Sequence, residues 1–547
     1  MKTWTLLASL LLLTVLPATA WGQTTPVEGL RDDVPAVHAF TGARIVVAPG
    51  RVVESGTLVI RDGVIESVGE NVTPPADARV WPMAGRTIYP GFIDSYSHLG
   101  MRSELPETEE DEDDPERGAL YWNPQMRAFA DAVAEFPAEE TEGSAALRAQ
   151  GFTVAMTVPR LGIFRGQTAA ISLGGGRVAD RVLRPGIAQA IALRRDPALG
   201  FGYPTSTMGA VAFIRQAILD ADWHARAGTA YDRAPQGVRR PERNAALSAL
   251  AAAARGDQPL LVEARSEEEV LRAMHLGEEF PVSLWIRGSG AEYRLIEEMR
   301  GLNVPLILPL AYPDTPNVQR PADALNVSLG DLRHWHLAPE NPARLAGAGV
   351  EFALTAHGIG RRQSFLGNLR TAVDRGLDPD VALAALTTVP ARYLGIDRTH
   401  GTLERGRAAN LVIADGDLFR GDAAIQVVWV DGRRFEVDAT EEIDPRGRWN
   451  VTSRGETPVE GELVLEGRPG RLTGLFIAPG GEVQLSSARI AAATREIQVV
   501  FPGETLGIEG TVRLSGSVSG NEISGWGDLP DGRRIHWRGS RAEAPDA

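Results

Sequence analysis

Three patterns of hydrophobic and polar positions succeed one another along the chain. From Phe40 to Ile88, short β-branched runs at Ala43–Val47, Thr57–Ile60 and Val64–Val68 predict strands. Asp62-Gly63 predicts a tight hairpin turn between the last two, since both central residues of that turn need positive φ. The same pattern returns after Gly401–Gly406, at Asn410–Ala414 and Ile425–Val430, with a second Asp-Gly turn at Asp431-Gly432. Between roughly Arg86 and Asp397, short apolar runs alternate with amphipathic stretches, as expected of βα units around a parallel sheet. Leu260–Ala264, Val282–Ile286, Val304–Leu310 and Phe352–Thr355 read as strands; Ser266–Leu276, Tyr293–Gly301 and Pro342–Gly347 read as helices. From Trp449 onward, alternating runs such as Gly461–Leu465, Gly474–Ile477 and Thr511–Leu514, broken by glycine turns, predict all-β structure.

The beginning of the chain changes this picture. Lys2, an apolar run from Leu6 to Leu16 and the small residues Ala18 and Ala20 predict a signal peptide over residues 1–20, and hence an exported, periplasmic or secreted protein. The run is shorter than the roughly 20 residues that span a bilayer, so no membrane association is expected once it is removed. A leader over 21–36 follows. The remainder divides into a composite β unit (37–88 with 398–440), a central unit (89–397) and a C-terminal all-β unit (446–541).

Composition excludes several chemistries. There is no cysteine, so disulfides, thiolate ligands and thiol nucleophiles are closed. A formal charge of −15 argues against nucleic acid as a partner. Lys2 is the only lysine, so the exported chain has none. The acidic run from Glu104 to Glu116 predicts a solvated loop, and Gly174-Gly175-Gly176 a plain turn. No Gly-x-Ser-x-Gly elbow accompanies Ser97, Ser206 or Ser289.

The segment Pro90-Gly91-Phe92-Ile93-Asp94-Ser95-Tyr96-Ser97-His98-Leu99-Gly100 resembles the first metal-binding strand of the amidohydrolase superfamily. Tyr203–Ala212, Asn341–Val350 and Thr387–Gly395 resemble blocks of its exported, imidazolonepropionase-like branch, so the resemblance runs from about Ala39 to Val437. It implies a (β/α)8 TIM-like barrel with a flanking β-sandwich built from both sides of that barrel, while the alternating runs from Trp449 onward predict a separate C-terminal all-β domain. It also implies metal-dependent hydrolysis of C–N bonds in amides or cyclic amides, with zinc as cofactor.

In that family two histidines follow strand one, a carboxylated lysine or glutamate strand four, histidines strands five and six, and an aspartate strand eight. At the matching positions this chain carries Tyr96 and His98, then Glu263 in Leu261-Val262-Glu263-Ala264, Arg287 in Ile286-Arg287-Gly288, and Ala356 in Thr355-Ala356-His357-Gly358. Only His98 is unchanged. His98, Glu263 and His357 remain as a chemically reasonable zinc trio. If Ala356 points inward, however, strand alternation turns His357 away unless the chain bends there.

The expectation is therefore an ion pair of Arg287 with Glu263 in place of the metal, since a buried carboxylate needs a cation partner. The pocket candidates are Asp94, Tyr96, His98, Glu263, Arg287, Ala356 and His357. Two functions stay open: a hydrolase of a small amide-like ligand, and an inactive binding or regulatory companion of an active amidohydrolase paralogue. His224, His275 and His400 read as surface or cap residues, and His334 and His336 as part of a loop or helix start before Pro339.

Overall fold

The computed structural model describes residues 36–437 except 105–120, 138–141, 201, 302, 319–320 and 361–363, and residues 445–543 except 455–458, 469–470, 492–495 and 520. The expected signal peptide, the leader up to residue 35 and the acidic run from residue 105 lie outside the described residues.

Strands β1 (Val37–Ala48), β2 (Arg51–Arg61), β3 (Val64–Gly69), β4 (Arg79–Pro82) and β5 (Thr87–Pro90) open the described chain. Strands β6 (Phe92–Ser97), β7 (Phe152–Thr157), β8 (Phe164–Gln167), β9 (Ala169–Ser172), β10 (Val182–Arg184), β11 (Gln189–Ala192), β12 (Pro259–Glu263), β13 (Ser283–Arg287), β14 (Leu306–Pro309) and β15 (Phe352–Thr355) follow. Then come β16 (Leu411–Ala414), β17 (Ile425–Val430) and β18 (Arg433–Glu436).

The first and last groups form one eight-stranded sheet, ordered β18-β17-β16-β5-β1-β2-β3 with β4 on β1. Both Asp-Gly turns form with positive φ at both residues: Asp62 at 50° and Gly63 at 76°, Asp431 at 52° and Gly432 at 78°. They also pack directly on one another. A Cβ on Gly63 would lie 2.7 Å from the Asp431 carbonyl, and one on Gly432 would lie 2.6 Å from the Gly63 Cα. Each glycine therefore serves twice, for its own turn and for the approach of the other.

The central unit is a TIM-like barrel whose C-terminal strands run parallel from β11 to β15, and whose β6 and β7 are also parallel. One stave is inverted. The continuous segment of β8 and β9 is antiparallel to β7 on one side and to β11 on the other. Residues 158–163 are all that separate β7 from β8. A parallel crossover needs about a dozen or more residues, so the returning strand must run the other way.

Inside the barrel, Ile93, Tyr96, Val154, Met156, Leu261, Trp285 and Ile307 form one buried cluster. Outside it, the helix Thr207–Arg233, capped by Ser206, buries Ala210, Phe213, Ile214, Ala217, Ile218 and Ala221. Periodicity overestimates one helix. Tyr293–Gly301 forms only the short turns Glu292–Arg294 and Ile296–Met299, because the buried Glu292 carboxylate accepts bonds from Gly290 N and from Asn341 Nδ2. His334 and His336 do precede Pro339, but they lie in the last turns of the helix Leu329–Leu337 rather than in a loop or at a helix start.

Among the described residues, the C-terminal unit has nine strands in one sheet. The strand Glu460–Arg468 pairs with both Gly447–Arg454 and Arg471–Ala478, which closes the sheet into a barrel. Its core is its own, built on Trp449, Phe476, Phe501 and Trp537.

Candidate functional site

The candidate residues gather at the C-terminal ends of the parallel strands, the end at which TIM barrels carry chemistry. Glu263 and Arg287 are the last residues of β12 and β13 and are directly paired in register. Thr355 ends β15, and His98 lies just beyond β6. The rings of Tyr96, His98 and His357 pack edge to face, with centroids 4.8–5.3 Å apart.

His357 thus enters the site, contrary to the alternation argument. The strand ends at Thr355, the Thr355 hydroxyl accepts the His357 N–H at 3.0 Å, and Gly358 turns the chain at φ +93°. Ala356 is half-buried beside it and brings no polar group.

The expected Glu263–Arg287 ion pair is not formed. Glu263 Oε2 pairs instead with Arg165 Nη1 from the inverted stave β8, both side chains being almost fully buried. Tyr96 OH donates to the same oxygen at 3.1 Å and accepts from Arg165 at 3.0 Å. Arg265 Nε approaches the other carboxylate oxygen at 3.1 Å. Burial opposes ionisation of Glu263, but the Arg165, Arg265 and Arg287 guanidiniums outweigh it and hold the carboxyl well below its ordinary range. Arg287 turns to His357, with Nη2 3.1 Å from Nδ1, and its guanidinium lies 5.7 Å from the Tyr96 ring centroid.

These bonds fix the protons on the rings. A guanidinium only donates, so His357 Nδ1 accepts and its proton sits on Nε2. His98 Nδ1 lies 2.6 Å from the Val158 carbonyl, which only accepts, so His98 carries its proton on Nδ1 and leaves Nε2 with a lone pair. Burial, with the neighbouring cations, lowers His98 to about 3 and His357 to about 4, so both are neutral at ordinary pH. Among the described residues no group of three or more His, Cys, Asp or Glu side chains has a metal-holding arrangement.

Asp94 sits behind this layer, fully buried. Burial pushes its carboxyl up to about 7 against the lowering effect of the Thr355 bond. The Thr355 hydroxyl lies 2.6 Å from Asp94 Oδ1 and 2.7 Å from the Tyr96 carbonyl, and it has only one proton to give. Below about pH 7 a protonated Asp94 resolves this conflict by donating to Thr355 Oγ1, whose own proton then goes to Tyr96 O; once ionised, Asp94 takes the Thr355 proton instead.

A pH dependence follows. A carboxyl whose folded pKa is raised contributes stability below its unfolded value near 3.8, and loses it as pH rises toward 7. Asp94→Asn is expected to remove that slope. Urea unfolding at intervals between pH 4 and pH 8 should show the variant gaining on the native protein as pH rises; parallel curves would refute the buried proton.

Above this layer lies a polar cavity of about 310 Å³. His98, Glu263 and His357 share its wall with Arg160, Arg165, Arg194, Arg195, Arg265, Asp196 and Glu269. Five arginines face three carboxylates, so the cavity is cationic in a chain of charge −15. Arg165, Arg265 and Thr355 are absent from the residues singled out by sequence. Arg165 left a trace: it interrupts the otherwise apolar run Leu161-Gly162-Ile163-Phe164-Arg165.

Comparison with known proteins bears on this arrangement. Residues 340–437 match the Amidohydrolase family. An amidohydrolase from Thermotoga maritima MSB8 superposes with a TM-score of 0.58 at 22% identity, covering 72% of this chain and 98% of that one, which shows a shared fold. Adenine deaminase 2 of Jannaschia sp. (strain CCS1) is 38% identical over 73 residues, 13% of this chain and 11% of that protein. Dihydroorotase of Anaeromyxobacter dehalogenans (strain 2CP-C) is 43% identical over 58 residues, 11% of this chain and 13% of that protein. The chain thus spans only about a tenth of the length of these two curated relatives. Residues 340–437 thus resemble the amidohydrolases in sequence, and the barrel as a whole shares the fold of one of them.

Proposed function

We propose that this chain is an exported amidohydrolase-fold protein that binds a small carboxylate- or amide-bearing molecule at the barrel mouth without metal-dependent hydrolysis, as a binding or regulatory companion of an active paralogue. The observation that carries this reading is Arg165. A guanidinium sits on Glu263 and Tyr96 at the centre of the candidate site and supplies the positive charge that a divalent ion would supply. The zinc trio does not fit these residues. The Glu263 carboxylate is shared by two arginines and a phenol, the acceptor nitrogen of His357 faces Arg287, and only His98 Nε2 keeps a lone pair. One nitrogen donor falls short of the three protein ligands that catalytic zinc needs. Metal-dependent hydrolysis needs an ion to acidify its water, and one free nitrogen donor is a poor holder for it.

The surplus arginines support an anionic ligand, because guanidinium pairs with carboxylate in a planar, two-point fit. In this reading the composite sheet folds back as a sandwich beside the barrel, with residues 37–88 and 398–440 as one unit, 89–397 as the barrel and 446–541 as a third body.

The test is metal analysis of the purified protein together with a hydrolysis screen on amides, cyclic amides and dipeptides, with and without added Zn²⁺. Substoichiometric metal and no zinc-dependent turnover are expected. Tightly bound zinc near one equivalent, or turnover restored by zinc, would refute the reading.

A further inference from the structure

A second cleft, away from the barrel mouth, lies where the composite sheet meets the C-terminal barrel. It encloses about 370 Å³. Its walls include Trp81 of β4, Trp429 of β17 and Phe435 of β18, with His38, Arg79 and Arg433 between them. Trp81 and Trp429 meet edge to face at 6.0 Å, and His38 packs on Trp429 at 4.8 Å.

The polar groups of this cleft are mostly donors. Arg79 lies over the Trp81 ring, 4.1 Å from its centroid, with the Arg434 guanidinium 5.1 Å from the same centroid, and no carboxylate among the described residues comes within ion-pair distance of Arg79. Trp81 Nε1 donates to His38 Nδ1 at 3.2 Å, so the proton of the neutral His38 ring sits on Nε2. The buried Trp429 Nε1–H has no partner among the described residues. Arg433 stands exposed at the rim. Asp62 and Glu496 also line the cleft, and the field of Glu496 favours the charged Arg79, but burial and the field of Arg434 prevail and lower Arg79 to about 10. A half-buried guanidinium without an anion is costly, and stacking on an aromatic face offsets only part of that cost.

We propose that this cleft is a second ligand site, for a small organic carboxylate whose carboxylate meets Arg79 and Arg433 and whose apolar body lies against the part-exposed edge of Trp81, beside the buried Trp429. The volume suits the lower end of small-molecule sites, which begin near about 300 Å³. Charge selects the anion, and the aromatic edge bounds its apolar body.

The experiment uses the full chain and three probes: benzoate, its neutral isostere benzamide, and inorganic phosphate. Binding is read from the indole N–H resonances of Trp81 and Trp429 in ¹⁵N-labelled protein, so that a carboxylate at the barrel mouth is not mistaken for one here. Benzoate should shift both resonances saturably with a dissociation constant below about 1 mM, and benzamide should bind at least about tenfold more weakly. Arg79→Gln should abolish the benzoate shifts, and Arg79→Lys, which keeps the charge but not the planar fork, should weaken binding; either variant suffices if the other does not fold. Arg265→Gln, at the barrel mouth, should leave these shifts unchanged. Equal binding of benzoate and benzamide, phosphate matching benzoate, or benzoate shifts that persist in the Arg79 variants would overturn the proposal.

Discussion

Arg165→Met is expected to lower the unfolding free energy by about 3–5 kcal/mol, the range for breaking a buried ion pair from one side. The side chains of Arg165 and Glu263 are 7% and 5% exposed, so neither charge is left to water. Removing the guanidinium strands a carboxylate among Tyr96, His98 and the apolar barrel interior, with Arg265 the one ion-pair partner still in reach. Glu263 must then either stay charged at a desolvation cost or take a proton, and both lower stability at neutral pH. The double variant Arg165→Met with Glu263→Met removes both charges at similar volume and should return to within about 1 kcal/mol of the native protein, because a well-packed apolar pair often matches the ion pair it replaces. Urea unfolding of the native protein, the single variant and the double variant measures this directly. A single-variant loss below about 1 kcal/mol, as for a solvent-exposed pair, would show that Arg165 does not hold the centre of the site.

Trp537→Ala is expected to destabilise the C-terminal barrel by about 3–5 kcal/mol, the cost of deleting a large aromatic ring from a packed core. Trp537 is fully buried. Its indole N–H is shared between the carbonyls of Ser515 at 3.1 Å and Trp526 at 3.0 Å. The strands beneath it are shaped for the ring: Gly516 and Gly525 face each other across the ladder, and a Cβ on Gly516 would lie 2.9 Å from Trp537 Cζ2. The ring therefore fills space that no neighbour can collapse into. Because this core is separate from the cluster of the central barrel, the loss should be confined to one unfolding transition. Differential scanning calorimetry should show that transition moving down while the one from the TIM-like barrel keeps its midpoint. A concerted shift of both would mean that the two bodies unfold as one.

Much of the fold was legible because its signals are local. Asp62-Gly63 and Asp431-Gly432 specify their turns by backbone preference alone, and both form. Phe352–Thr355 and Ile425–Val430 are strands at the bounds that their apolar runs predict. Ser266 marks a helix start and caps Glu267–Glu279. The local signal failed at Tyr293–Gly301, where a buried carboxylate took the loop N–H groups for itself.

The candidate site was legible only in part. Tyr96, His98, Glu263, Arg287 and His357 do converge, because each sits at or just past the end of a barrel strand and a closed barrel brings those ends together. Their partners were not legible. Arg287 was expected on Glu263, the residue beside it in the ladder, and instead bonds His357, while Arg165 crosses from the inverted stave to take the carboxylate.

The sequence by itself determined most of the elements, their order, the absence of cysteine chemistry, and the residue types at the barrel mouth, since these rest on composition and on contacts a few residues apart. The tertiary structure alone decided which cation neutralises Glu263, how His357 turns into the site, and that two Asp-Gly turns nearly four hundred positions apart touch. Those outcomes depend on the direction of one stave and on approaches of a few ångströms between distant segments, which no run of neighbouring residues encodes.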